Sequence, residues 1–287
     1  MTSWIYWDPE PSIFVLPFID WPILWYGLFF SLGFLIGFPL FVNVLARYFS
    51  TLSELTNEGI YSLKRKAIVL ADRLTIYIVI GTIVGARLGH FLFYESASTY
   101  IEDPFEIFRV WKGGLASHGA AFFIILSVIF FSYRIRLQYP SLDWVRLLDF
   151  IAPAAAFAGC CIRIGNFFNQ EILGTVTQMP WAVVFGHPLD GSLPAPRHPV
   201  QIYEAIAYLL LFVFLWRLTY LVYFLKNRGK LIGIFLIFTF LSRFFIEFFK
   251  TEQSRILSSE HLLNMGQILS IPMIFLGCIF FFFVKKS

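Results

Sequence analysis

Charge is scarce in this sequence. Only 14% of its 287 residues are Asp, Glu, Lys or Arg, whereas 58% are hydrophobic and the mean hydropathy is +0.73. A soluble globular domain carries roughly a quarter charged residues, so the composition excludes a water-dissolved fold and makes a bilayer the main solvent. The net charge of +4 is small and scattered, which excludes a nucleic-acid-binding surface. Cysteine is as sparse: Cys160, Cys161 and Cys278 sit in apolar runs without the spacing of a metal site or a disulfide framework. They read as small hydrophobes. No metal or cofactor is expected. The segment from Met1 to Pro11 has no Lys or Arg, so a cleavable signal peptide is not expected, and the first span is read as mature structure. Repeats, low-complexity stretches and soluble linkers are also absent from the pattern, so residues 1–287 are read as a single polytopic membrane domain.

What the chain has in abundance is apolar length. Seven runs can each cross a hydrocarbon core as a helix: 23–46, 74–93, 113–132, 149–168, 200–224, 231–249 and 262–284. The fold class expected is therefore an all-α integral membrane protein. Aromatic residues make up 20%, with 36 Phe, as lipid-facing surfaces and interfacial belts require. Loops on one side carry Arg47, Lys64, Arg65, Lys66, Arg73, Arg134, Arg136, Arg146, Lys226, Arg228, Lys230, Lys285 and Lys286. The other side has Arg109, Lys112, Arg197, Lys250 and Arg255. Positive residues accumulate in the cytoplasm, so the N-terminus is expected outside and the C-terminus inside. The longest outer connection, 169–199, is rich in Pro and Gly and is expected to form a small extracytoplasmic cap.

That orientation gives each polar residue in a span a depth. Tyr26 falls near the outer end of the first span, Arg87 and His90 near that of the second, and His118 near that of the third. Arg163, Asn166 and Asn169 close the fourth at i, i+3, i+6 spacing, on roughly one helical face. Gln201, Tyr203 and Glu204 open the fifth, and Arg243 and Glu247 lie at i, i+4 in the sixth. Arg217 is the exception, close enough to the inner end of its span to snorkel. A charge in a span costs about 2.5–3.5 kcal/mol on insertion scales and normally faces a polar interior. Each residue alone could serve to hold helices together, but their convergence at one depth points to a functional site.

The run Arg163-Ile-Gly-Asn166-Phe-Phe-Asn169-Gln-Glu171-Ile-Leu-Gly174 sets a guanidinium, two amides, a carboxylate and two glycines at a helix end. Such a set can hold a phosphate and hydroxyls, because Arg offers a planar fork of donors and Gly lets the backbone approach. The run resembles the signature of the prolipoprotein diacylglyceryl transferases. Further segments agree in order: Trp25-Tyr26-Gly27, Gly85-Ala-Arg87-Leu-Gly89, Gly113-Gly114-Leu-Ala-Ser-His118-Gly119, Pro180-Trp181, Arg197-His198-Pro199-Val-Gln201-Ile-Tyr203-Glu204 and Arg243-Phe-Phe-Ile-Glu247-Phe-Phe. Ile162 stands where the family commonly has Gly, and Thr239 where some members have Tyr.

The resemblance implies transfer of the diacylglyceryl group of phosphatidylglycerol to the thiol of a lipobox cysteine in a preprolipoprotein. The products are a thioether and glycerol 1-phosphate, and the setting is the bacterial cytoplasmic (inner) membrane, with the site toward the outer leaflet. Partners are then phosphatidylglycerol, preprolipoprotein signal peptides and membrane lipids. The nucleophile belongs to the substrate, so the chain's own cysteines are not needed. His118 is the candidate base for the thiol, its alternative being to fix a helix end. Arg163 and Arg243 are candidates to stabilise the departing phosphate, and Glu247 to orient Arg243. Asn166, Asn169, Glu171 and Gly174 are candidates for the lipid headgroup, with a capping role open for Asn169. Tyr26 either holds the phosphate or belongs to the interfacial belt. Arg87 either assists the phosphate or pairs with Glu95 or Glu204. A secondary transporter of an anionic or lipid-like substrate is the alternative class, though transporters favour inverted repeats and midplane sites.

Overall fold

The computed structural model describes residues 4–18, 20–52, 59–94, 103, 105, 107, 109, 116–251 and 263–284. Its helices are α1 (Trp25–Ser50), α2 (Ile60–Tyr94), α3 (Ser117–Ile135), α4 (Trp144–Phe168), α5 (Val200–Leu218), the short α6 (Val222–Lys226), α7 (Lys230–Ile246) and α8 (Met265–Phe283). Seven of them, all but α6, are long and apolar enough to cross a membrane. Among the described residues, five short strands accompany them: β1 (Ile5–Trp7), β2 (Ser12–Leu16), β3 (Trp21–Leu24), β4 (Val183–Phe185) and β5 (Pro196–Arg197). The chain divides into two compact units, one of residues 49–148 and one of residues 1–48 with 149–286.

The smaller unit centres on α2 and α3. α2 begins at Ile60, well before the expected 74, so Lys64, Arg65, Lys66 and Arg73 lie on helical turns and not in a loop. Hydropathy registers only the part of a helix that lipid covers; beyond it the helix continues as an amphipathic one. Leu63, Ala67, Leu70, Ala71 and Leu74 are buried at helical spacing while Lys64 and Arg65 are exposed. The glycines of the Gly85–Gly89 segment serve helix contact. A Cβ on Gly85 would lie 2.5 Å from both the Gly119 carbonyl oxygen and Phe123 Cβ, so only a residue without a side chain lets α2 and α3 come this close. Gly113 and Gly114, expected to open the third span, lie outside the described residues.

In the larger unit α4 is the most enclosed span, half of its apolar window being buried. Asp149, expected at its start, is instead inside it and buried, and its carboxylate caps α7. It accepts the N–H groups of Gly229 at 2.5 Å and Ile232 at 2.8 Å, which would otherwise be orphan donors at a helix start. Gly229 has φ +83°, a conformation natural to glycine. The fifth span ends at Leu218, short of the expected 224, and Arg217 is exposed there. Arg47 of α1 donates to Thr219 Oγ1 at 2.7 Å and lies over the rings of Trp216 and Tyr220.

The 169–199 connection folds on the N-terminal segment. β1 runs parallel to β4, which pairs antiparallel with β5. Beneath them Leu173, Val183 and Phe185 form a small core with Trp7 and Phe167, and Trp7 Nε1 donates to the Phe167 carbonyl at 3.1 Å. Asp8 Oδ1 pairs with His187 Nδ1 at 2.6 Å and accepts Gln170 Nε2 at 3.1 Å. Through these bonds His187 holds the Asp8 carboxyl below its ordinary 3.8, helped by Gln170, and Asp8 raises His187 above its ordinary 6.5.

Two tests follow from these contacts. Gly85→Val should lower the apparent melting temperature of the detergent-purified protein, as overpacking costs about 1–3 kcal/mol, while Gly27→Val, which meets nothing within 4 Å, should not. The Asp8–His187 pair should stabilise the cap in a window. Its contribution from His187 is complete below pH 6.5 and fades as pH rises through the raised value; that from Asp8 is present above pH 3.8 and fades as pH falls through the lowered value. Melting curves of wild type and His187→Gln should therefore differ most at mildly acidic pH and converge in alkaline buffer; a difference that grows with pH would contradict this.

Candidate active site

The site grows from the end of α4. Arg163 and Asn166 share a face, and Asn166 Oδ1 accepts Arg163 NH1 at 3.2 Å. Past Phe168 the chain reverses through two left-handed residues, Gln170 at φ +52° and Ile172 at φ +57°. For a β-branched residue such a conformation is strained. The reversal brings Glu171 back over the helix end, where its N–H meets the Asn166 carbonyl at 3.1 Å. Glu171 Oε1 accepts both Asn166 Nδ2 at 2.7 Å and Asn169 Nδ2 at 3.2 Å. Gln201 of α5 holds the turn from outside by donating to the Glu171 carbonyl at 2.7 Å. The ring of Tyr26 lies against Gly165, with Arg163 and Glu171 within electrostatic reach of its hydroxyl.

Glu204 of α5 has no solvent exposure. Its two oxygens are taken by two cations, Oε2 by Arg163 Nε at 2.9 Å and Oε1 by Lys250 Nζ at 2.8 Å. Lys250 also reaches Glu247 Oε2 at 3.3 Å. Glu247 therefore does not orient Arg243, as its i+4 spacing had suggested. The helix tightens after Ile246 into a 3-10 turn, Glu247–Phe249, and the i, i+3 spacing of that turn brings Lys250 round to Glu247. Gly266, at the start of α8, faces the same carboxylate, and a Cβ there would lie 2.4 Å from Glu247 Oε1. Gly174 forms an isolated antiparallel bridge with Lys250, and its carbonyl accepts Arg197 NH1 at 3.2 Å. Arg243 is half-buried and has no carboxylate partner among the described residues.

The unit thus assembles two cations and two carboxylates, Arg163, Lys250, Glu204 and Glu247, into one network, and Arg163 joins it to Asn166 and through it to Glu171. Charges so placed can bind an anion in a medium where water competes poorly.

Known proteins are similar to this chain along nearly its whole length. A family model described as prolipoprotein diacylglyceryl transferase matches residues 12–283. Proteins named phosphatidylglycerol–prolipoprotein diacylglyceryl transferase are similar to it. That of Protochlamydia amoebophila is 37% identical, covering 96% of this chain and 93% of the relative. That of Chloroherpeton thalassium is 40% identical, covering 98% and 94%, and that of Tolumonas auensis 37%, covering 99% and 98%. The chain belongs to the prolipoprotein diacylglyceryl transferase family. These likenesses do not favour a transporter.

Of the residues that the family signature singles out, the structure brings Tyr26, Arg163, Asn166, Asn169 and Glu171 to one helix end. Glu247 is joined to them through Lys250 and Glu204, and Gly174 through its backbone bridge with Lys250. Arg87 and His118 belong to the other compact unit. There Arg87 is buried and gives Nε to the Ile107 carbonyl at 3.0 Å; Glu95 lies outside the described residues, and Glu204 is occupied by Arg163 and Lys250. His118 is exposed on the first turn of α3. Lys250 was read only as a loop cation. The signal available in the sequence was its place three residues after Glu247, directly past the end of a span that carries that carboxylate.

Removing Lys250 should unbalance the network. Lys250→Met leaves Glu204 with one cation and Glu247 without its own, and breaking a buried pair costs about 3 kcal/mol or more. Thermal unfolding should show a markedly lower midpoint for Lys250→Met and a near-normal one for Lys250→Met combined with Glu247→Gln; equal losses in both would show that the two carboxylates do not depend on this ammonium.

Proposed function

We propose that this chain transfers the diacylglyceryl group of phosphatidylglycerol to the lipobox cysteine of a preprolipoprotein at the outer leaflet of the bacterial cytoplasmic membrane. The observation that carries the reading is the state of the two arginines: Arg163 is fixed by Glu204 and Asn166, and Arg243 stands half-buried with no carboxylate partner among the described residues. A fork already oriented by protein groups is suited to a phosphate, whose oxygens accept parallel N–H bonds.

The thiolate sulfur of the substrate attacks the glycerol carbon that bears the phosphate ester. A C–S bond forms as the C–O bond breaks, and glycerol 1-phosphate leaves with the electron pair. The thiol proton goes to a base, for which His118 is the candidate. A thiol with a pKa near ~8.5 reacts as thiolate, so a base or a positive field is needed. Arg163 and Arg243 follow the growing charge on the departing phosphate. Glu171 keeps one carboxylate oxygen for its two amides and offers the other to the hydroxyls of the glycerol headgroup. Tyr26 and Gly174 border that pocket. The loop-charge asymmetry supports an external N-terminus and a cytoplasmic C-terminus, which puts the 169–199 cap and the site on the outer side.

The protein reconstituted with phosphatidylglycerol labelled in its diacylglycerol part should convert a lipobox peptide to a thioether-linked lipopeptide, with one glycerol phosphate released per peptide. Arg163→Lys should lower kcat by about 10²–10³, as loss of a preorganised donor does elsewhere, with lipid affinity and melting temperature nearly kept. No transfer by the wild type would sink the reading, and a stable Lys variant with normal turnover would remove Arg163 from the catalytic set.

A further inference from the structure

The segment ahead of α1 is apolar and exposed on both of its faces. Residues 11–24 carry a single charge, Asp20, and within them β2 and β3 pair antiparallel, with Leu16 opposite Trp21. Successive residues of a strand point to opposite faces, yet the neighbours Phe14 and Val15 are both exposed, as are Trp21 and Leu24, and Phe18 at the turn is 97% exposed. A hairpin lying against the body of the protein would hide one of its faces, and one standing in water would carry polar side chains there. The root of the hairpin is fixed. Trp25, the first residue of α1, follows Leu24 directly, and its N–H meets the Pro11 carbonyl at 3.2 Å. Its ring stacks on Phe168 at the end of α4, with centroids 4.8 Å apart.

We infer that this hairpin is an interfacial anchor, held at the boundary between headgroups and acyl chains of the bilayer on the side where α1 begins. α1 is long and apolar enough to span, and no linker separates it from β3, so the apolar surface of the hairpin continues that of the helix. Water is excluded as its surroundings by the exposed aromatic and aliphatic side chains, which gain free energy on leaving it. The hydrocarbon core is excluded as well. Among the described residues β2 and β3 pair only with each other, so the outer edge of each strand keeps N–H and C=O groups that hydrocarbon cannot satisfy. Asp20 beside the turn adds an exposed carboxylate, which is costly at that depth. The interface meets both demands, since apolar elements sink roughly 5–10 Å into it while polar groups reach headgroups and water. Trp21 suits that level, where indole rings gather. This placement is independent of the reaction that the site performs.

Nitroxide labels test the depth in liposomes of phosphatidylethanolamine and phosphatidylglycerol. In a full chain whose Cys160, Cys161 and Cys278 are replaced by Ala, single labelling sites are made by Phe18→Cys in the hairpin, by Asp190→Cys, exposed in the 169–199 cap, as the aqueous reference, and by Phe275→Cys, exposed midway along α8, as the hydrocarbon reference. Oxygen concentrates in hydrocarbon and a nickel chelate stays in water, so the ratio of their collisions with the label reports depth. At position 18 the ratio should fall between the two references and correspond to about 5–10 Å below the headgroup surface. A ratio equal to that at position 190 puts the hairpin in water, one equal to that at position 275 puts it in the core, and spectral broadening by a second label puts another copy of the chain on it; each overturns the anchor. Should the cysteine-free chain fail to fold, p-benzoylphenylalanine in place of Phe18 in the chain with its natural cysteines decides the same question. Irradiation in liposomes should then join the chain to lipid, and chain dimers or the absence of a lipid adduct overturn the anchor.

Discussion

Glu204 carries a negative charge where no water reaches it, and a buried carboxylate must be neutralised by groups the protein itself supplies. Arg163 and Lys250 do so, one at each oxygen. Three separate stretches of chain are thereby tied together: the end of α4, the start of α5 and the turn that follows α7. Much else at the site can be read as a condition for that arrangement. Asn166 must hold the guanidinium on its other side, Glu247 must balance the second contact of Lys250, and Gly266 must leave room for Glu247. The Gly174–Lys250 bridge links the end of the signature run to the same lysine through the backbone.

Strain is concentrated at the neighbouring turn. Gln170 and Ile172 both take left-handed backbone conformations, at a cost of order 1–3 kcal/mol each. The hydrogen bonds that hold them are specific: Glu171 to two asparagines, Gln201 to the Glu171 carbonyl, and Gln170 to Asp8. The outcome is a carboxylate folded back over a helix end, beside the arginine that the same helix presents. A relaxed turn would carry Glu171 away from α4 and leave Asn166 to bond elsewhere. Strain held this way fits a site whose groups must be in place before a lipid arrives. In the smaller unit, glycine does a different job: the Gly85–Gly119 contact brings α2 and α3 together at backbone distance.

Much was legible without coordinates because bilayers impose simple rules. Seven apolar runs became seven long helices, and the polar residues that stood out against them include Arg163, Glu204 and Glu247 of the buried network, though not Lys250. The Arg163–Gly174 run was recognisable as a unit because part of its chemistry is local: the side-chain hydrogen bonds within it join residues two to five apart. Helix ends were less legible. α2 extends far beyond its apolar window, and the fifth span stops early, since hydropathy senses lipid and not hydrogen bonding. The strand pairing of residues 5–7 with 183–185 could not be read at all, because nothing in either short segment names a partner so distant in the chain.

By itself, then, the sequence determined the solvent, the number of spans and the local signature, since each depends on composition or on neighbours along one helix. Its resemblance to a family pointed to the chemistry. Only the tertiary structure decided which charge meets which. Glu247 met Lys250 and not Arg243, and Asp149 became the cap of another helix. Ion pairing in a low-dielectric interior is settled by a few ångströms between side chains from different helices, and spacing along one chain does not contain that distance.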